Sequence, residues 1–178
     1  MMQLTKGFEQ AACIISLLAT QNRGVPISSQ VINARLGGSQ TYLRKIMRKL
    51  VVAGLVKSIS GNNGGFTLAR DAKDINLLEI VEATEGKIET YPNYGFFDRV
   101  FREFKQDTKK ATAVINNVFT EADKRWADYL ESQTVYQLIS ATFGESEIPL
   151  INWNEEDISG QHKLIIQKIV ENVTGNHK

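Results

Sequence analysis

One cysteine and two histidines are the whole supply of thiol and imidazole groups in this 178-residue chain. With Cys13 alone there is no intrachain disulfide and no cysteine-rich zinc site. Cys13 lies in the apolar run ACIISLLA, which predicts a buried, inert thiol. His162 and His177 both fall near the C-terminus. No Ser-His-Asp set, phosphate loop, dinucleotide fingerprint or metal-ligand spacing is present, so catalysis is not expected. Long hydrophobic runs are missing too. None approaches the ~20 residues of a membrane span, and MMQLTKGFEQ has no signal-peptide core. A cytoplasmic protein with no membrane contact is expected.

Acid is scarce where base is not. The formal net charge is +1, yet residues 1–70 hold nine Lys and Arg against Glu9 alone, and residues 71–178 hold twelve against nineteen acids. Such asymmetry between halves suggests that the first part meets nucleic acid or another anionic surface.

What is present centres on SQTYLRKIMRKLVVAG, residues 39–54. Leu43, Ile46, Met47 and Leu50 follow helical spacing on one side. Thr41, Arg44, Lys45 and Arg48 follow it on the other. Ser39 suits an N-cap and Gly54 a C-terminal stop. Alone, this helix could equally be a solvated amphipathic one, but its flanks favour a groove-binding element. Thr5 can cap a first helix over 6–21, with Phe8, Ala11, Ala12, Ile15 and Leu18 inward. Ser28 or Ser29 caps a short second helix with Val31 and Ile32 inward, and Gly37-Gly38 turn the chain into the basic helix. This is a helix-turn-helix order. Two β-prone runs follow, 55–59 and 66–69, joined by SGNNGG at 60–65, which predicts a hairpin, or wing.

Asn76 and Glu79 form a capping-box pattern at the head of NLLEIVEATEG, with Gly86 as its stop and its acids read as solvated. The stretch 91–104 holds six of the fifteen aromatics. It reads as a packing plug between two parts of the fold, or as the lining of an effector pocket. From Thr108 to about Gln133 a single helix of about 38 Å is predicted. Its stripe of Ala111, Val114, Ile115, Val118, Phe119, Ala122, Trp126, Tyr129 and Leu130 packs either on a second copy or on the C-terminal helix of the same chain. A further apolar segment covers 134–143. Residues 144–160 are acidic and irregular, and 162–173 is a last amphipathic helix with Leu164, Ile165, Ile169 and Val173 on one side.

This order of elements resembles the Rrf-two family of winged-helix transcription regulators, of the IscR, NsrR and CymR type. The carriers are LTKGFEQA, TYLRKIMRKLVVAGLVKS, GNNGGFTLAR and INLLEIVEATEG. They cover about residues 1–90, and the long helix is similar to the family's dimerisation helix. The resemblance implies a mainly α fold with a small β-hairpin wing (α+β), in three parts. Residues 1–90 would form the winged helix-turn-helix, 91–143 an aromatic connector and long dimerisation helix, and 144–178 a C-terminal extension. It also implies a homodimer on a partly palindromic operator, here expected to repress. Carried over residue by residue, Ser39, Gln40, Thr41, Tyr42, Arg44 and Lys45 would face the major groove and Arg48 a phosphate. Lys57, Ser60, Asn62, Asn63, Gly64 and Gly65 would form the wing contact, with Thr5 and Lys6 on phosphates. Val114, Ile115, Val118, Phe119, Ala122, Trp126 and Tyr129 would form the dimer seam.

Two departures stand out. Many relatives hold an iron–sulfur cluster on three cysteines after the fourth helix, whereas residues 88–107 contain none, so no cofactor is expected. Ser60 stands where the family often has an Arg before the first wing glycine, so with Ser60 and the two Asn residues minor-groove readout should be weaker or depend on hydrogen bonds to A·T-rich edges. The expected partners are double-stranded DNA and a second copy. A small-molecule effector or a protein partner remains open. The competing class is a winged helix that binds protein and has only non-specific affinity for DNA.

Overall fold

The computed structural model describes residues 3–143, 150–155 and 160. The predicted helix over 162–173 lies outside them. Seven helices and one hairpin are formed by the described residues: α1 (Lys6–Ala19), α2 (Ser29–Leu36), α3 (Gln40–Val52), β1 (Val56–Ile59), β2 (Gly65–Leu68), α4 (Leu77–Glu85), α5 (Phe96–Val100), α6 (Lys105–Glu131) and α7 (Val135–Phe143). A 3-10 turn at Ala72–Asp74 links the hairpin to α4.

Local chemistry explains most boundaries. Thr5 Oγ1 accepts from Gly7 N at 3.1 Å at the head of α1. Ser28 Oγ accepts from Val31 N at 3.2 Å at the head of α2, and Gly37 ends that helix in the left-handed region at φ 64°. The α4 capping box is complete: Asn76 Oδ1 accepts from Glu79 N at 3.0 Å, and Glu79 Oε2 accepts from Asn76 N at 3.1 Å.

The core lies where these helices converge. Ala11, Ile14, Ile15 and Leu18 of α1 meet Ile32, then Leu43, Ile46, Met47 and Leu50 of α3, Leu55 and Val56, Ile80, and Val135 and Ile139 of α7. The buried stripe of α1 runs through Gly7, Ala11, Ile14, Ile15 and Leu18, rotated from the predicted one, and Phe8 and Ala12 are half-buried. The expectation of a buried Cys13 is overturned, because its side chain is exposed. At about 100° per residue, position 13 points some 200° from Ala11, away from the core.

Two other expectations need correction. The aromatic run is no plug within the described chain. Phe96 is 61% exposed, and Tyr94, Val100, Phe101 and Phe104 are exposed as well. The connector is instead tied to α6 at its start. Thr90 donates from N and Oγ1 to Asp123 at 3.0 and 2.6 Å, and Tyr91 stacks on Phe119 with centroids 4.9 Å apart. The acids of α4 are also not all merely solvated. Glu79 pairs with Arg70 at 2.6 Å, and Glu85 reaches Thr5. A carboxylate at either end of this helix therefore pins a neighbouring segment.

Over its 27 residues α6 buries Thr108 alone. Val114 and Val118 are each 62% exposed and Tyr129 is 65% exposed; Phe119 and Trp126 are exposed to a lesser degree, Ala122 is exposed, and Ile115 is half-buried.

Candidate nucleic-acid interface

Burial of the α3 stripe dictates what its other side offers. Because Leu43, Ile46, Met47 and Leu50 are committed to the core, helical periodicity turns Thr41, Arg44, Lys45 and Arg48 outward, and all four are exposed. Among the described residues no carboxylate pairs with Arg44, Lys45 or Arg48. The fourth cation, Lys49, is withdrawn from this face, since its ammonium donates to the Thr84 carbonyl and ties α3 to α4. Three unneutralised cations thus stand on one face of one helix.

At the head of α3, Ser39 holds the N-cap backbone position, but its side chain makes no capping bond. Ser39 and Gln40 are both exposed. Tyr42 is partly exposed, and its hydroxyl lies against the start of α1: a Cβ built on Gly7 would sit 3.3 Å from it. Thr5, Lys6 and Tyr42 are therefore brought to one place. Thr5 is already engaged there, with N and Oγ1 donating to Glu85 Oε1 at 3.2 and 2.5 Å. A carboxylate of this chain thus occupies the anion-attracting end of α1.

The wing is a regular antiparallel pair, Val56 opposite Leu68 through Ile59 opposite Gly65. Lys57, Ser60, Asn62 and Asn63 are exposed. Gly61 adopts φ 107°, and the Gly64 N–H donates to its carbonyl at 2.9 Å, closing the tip. Gly64 and Gly65 have a reason to be glycine inside the protein. A Cβ at Gly64 would fall 2.3 Å from the Ile59 carbonyl oxygen, and one at Gly65 would fall 2.3 Å from that of Ile27. The second approach arises because Ile27 pairs with Phe66 through both backbone bonds, at 2.9 and 3.0 Å. The wing is thereby fastened to the loop that enters α2.

Sequence reasoning missed what lies on the opposite edge of that loop. Ile151 is buried and pairs in parallel with Gln21, and Asn154 bonds to residues 26 and 28. The short apolar–polar alternation of Ile151-Asn152-Trp153-Asn154 after Pro149 was the one local signal available.

Comparison with known proteins fits this geometry. A family model described as an iron-dependent transcriptional regulator, Rrf2, matches residues 4–141. YwgB of Bacillus subtilis (strain 168) is 29% identical over 161 residues, covering 90% of this chain and 99% of that protein. The HTH-type transcriptional regulator IscR of Vibrio vulnificus is 26% identical over 140 residues, or 78% of each chain. Among solved structures, CymR of B. subtilis, the global cysteine regulator, superposes with a TM-score of 0.56 at 23% identity, over 80% of this chain and 99% of that one. IscR of T. potens gives 0.57 at 24% identity, over 79% and 88%.

The iron in the family description does not fit the residues here. The cluster segment 88–107 offers Glu89, Asp98, Glu103 and Asp107 but no cysteine or histidine. Among the described residues no group of three His, Cys, Asp or Glu is gathered to hold a metal. No described helix is long and apolar enough to cross a membrane. The family and fold are those of DNA-binding regulators rather than catalysts. With a helix-turn-helix, a hairpin wing and a long helix in the family order, the chain belongs to the Rrf2 family of transcriptional regulators, as a member without the cluster-binding cysteines typical of IscR.

Proposed function

We propose that the protein is a homodimeric, sequence-specific repressor that binds a partly palindromic operator without an iron–sulfur cluster. The carrying observation is the exposed, unpaired face of Arg44, Lys45 and Arg48 on α3, opposite a fully buried stripe and beside an exposed wing. In this reading Ser39, Gln40, Thr41, Tyr42, Arg44 and Lys45 meet base edges, and Arg48 meets a phosphate. Lys57, Ser60, Asn62 and Asn63 enter the neighbouring minor groove with the backbone of Gly64 and Gly65. Lys6 adds a phosphate contact, and Thr5 joins it once Glu85 yields.

The second copy is supported by α6. A helix of about 40 Å that buries one of its 27 residues needs cover for Val114, Ile115, Val118, Phe119, Ala122, Trp126 and Tyr129. A two-fold seam there would set two α3 helices on half-sites spaced by about one DNA turn, ~34 Å.

The test is retention of sheared genomic DNA from the source organism at about 150 mM salt, where non-specific binding is weak. Enrichment of a few fragments sharing a two-fold-related motif is the expected result. No enrichment by folded, dimeric protein would sink the proposal and favour a winged helix that serves a protein partner.

A further inference from the structure

Residues 150–155 return to the helix-turn-helix from far along the chain. The Ile151 N–H donates to the Thr20 carbonyl at 2.8 Å, and the Ile151 carbonyl accepts from Asn22 N at 3.0 Å. Trp153 donates from its backbone N to Gln21 Oε1 at 2.8 Å and from its indole Nε1 to Thr20 Oγ1 at 3.0 Å. Thr20 and Gln21 are buried polar residues: the Thr20 hydroxyl donates to the Ser16 carbonyl at 2.9 Å and accepts from Trp153, and Gln21 Oε1 accepts from Trp153. The Arg35 guanidinium, in the last turn of α2, lies 4.5 Å from the centre of the Trp153 ring.

Asn154 makes the most telling contact. In extended backbone, the amide groups of alternate residues point to opposite edges. Ile27 spends both of its groups on β2 of the wing. The Pro26 carbonyl and the Ser28 N–H therefore face the other edge, where no strand of the described residues runs. Asn154 fills that edge with one carboxamide: Nδ2 donates to the Pro26 carbonyl at 2.9 Å, and Oδ1 accepts from Ser28 N at 3.2 Å. Its side chain copies the donor–acceptor pair of a neighbouring strand. Ser28 is also the N-cap of α2, so the same residue that starts the first helix of the helix-turn-helix is held from outside.

We propose that Trp153 and Asn154 are positioning residues for DNA recognition. They fix both ends of α2 against α1 and the wing, and so set the pose of α3 without touching DNA. This rests on reading α3 as the recognition helix. It makes the segment 150–155 a working part of the DNA-binding unit.

The test uses the full chain as wild type, Asn154→Ala, Trp153→Ala and Trp153→Phe. The probes are a duplex retained from genomic DNA by the wild type and a scrambled duplex of the same composition. Amide hydrogen exchange over residues 20–36 is followed in parallel. Asn154→Ala should weaken binding to the retained duplex by about three- to ten-fold, the value of one or two net hydrogen bonds, and leave the scrambled duplex within about two-fold. Exchange at 27–36 should quicken by a similar factor. Trp153→Phe keeps a ring for Arg35 and should restore much of what Trp153→Ala loses. Unchanged binding to the retained duplex in both alanine variants overturns the proposal, and so does an equal loss on both duplexes, which would mark general unfolding. Should Trp153→Ala fail to fold, Asn154→Ala and Trp153→Phe decide alone, and retained-duplex affinity at the wild-type level in both is fatal to it. If the wild type retains no duplex, the recognition reading has failed instead; exchange at 27–36 unchanged by Asn154→Ala then overturns the positioning role separately.

Discussion

At the scale of single residues, Arg44 is exposed, unpaired and central on the outward face of α3. Arg44→Ala should cost about 1–3 kcal/mol on a retained duplex if the side chain reads a base. Equal losses on retained and scrambled duplexes, measured by titration, would make it a phosphate contact instead. Gly65 faces the opposite problem. Its missing Cβ is what lets Ile27 reach β2, so Gly65→Ala should destabilise the fold by roughly 2 kcal/mol or more through forced separation of that pair. A denaturation midpoint equal to wild type would contradict this. Cys13 should be alkylated in the native protein about as readily as in denaturant, because it stands outside the core. Strong protection, followed by mass spectrometry, would show that it is covered. The contrast between Arg44 and Cys13 shows what single residues reveal in sequence. The cations of α3 were legible because each sits at a fixed angle from a strongly apolar stripe. Cys13 was not, because a run of small and apolar residues hides which of them the helix turns outward.

At the scale of elements, caps and periodicity carried the reading. The α4 capping box was visible as Asn76 and Glu79, and both of its bonds are formed. Asn76→Ala should lower stability by about 1 kcal/mol, the usual worth of an N-cap, as a shift in chemical denaturation. The length of α6 and its apolar stripe were equally legible, with the helix starting three residues earlier than predicted. The aromatic connector was not. An apolar run announces that something covers it, but not whether the cover is the same chain, and here Phe96, Phe101 and Phe104 are left in the open by the described residues. Val118→Asp should turn the proposed dimer into a monomer at micromolar protein, since a charge in the proposed seam of valine and aromatics would not be solvated. Sedimentation that still reports a dimer would move the interface off α6.

At the scale of the whole molecule, the charge division seen in the sequence maps onto the fold. The first 70 residues carry nine cations and one acid and contain α3 and the wing. A dimer making six or more phosphate contacts should lose about a thousand-fold or more in affinity between roughly 50 and 200 mM salt. A shallow dependence, measured by fluorescence anisotropy, would argue against a phosphate-dominated interface. The alternation at 151–154 marks an extended segment, but no local pattern could disclose its return to the loop before α2, since pairing across 126 positions does not name the partner. That return also bears on how the protein is made. A growing chain completes α1, α2, α3 and the hairpin while Pro26 and Ser28 still lack Asn154. Closure over so long a separation is slow compared with local helix formation. If the proposed function holds, recognition of an operator should therefore mature late. During translation the half-finished product would already carry its cationic face, with the outer edge of the loop before α2 still open and Arg35 still lacking the Trp153 ring, and would hold DNA without choosing among sequences until the distant asparagine arrives.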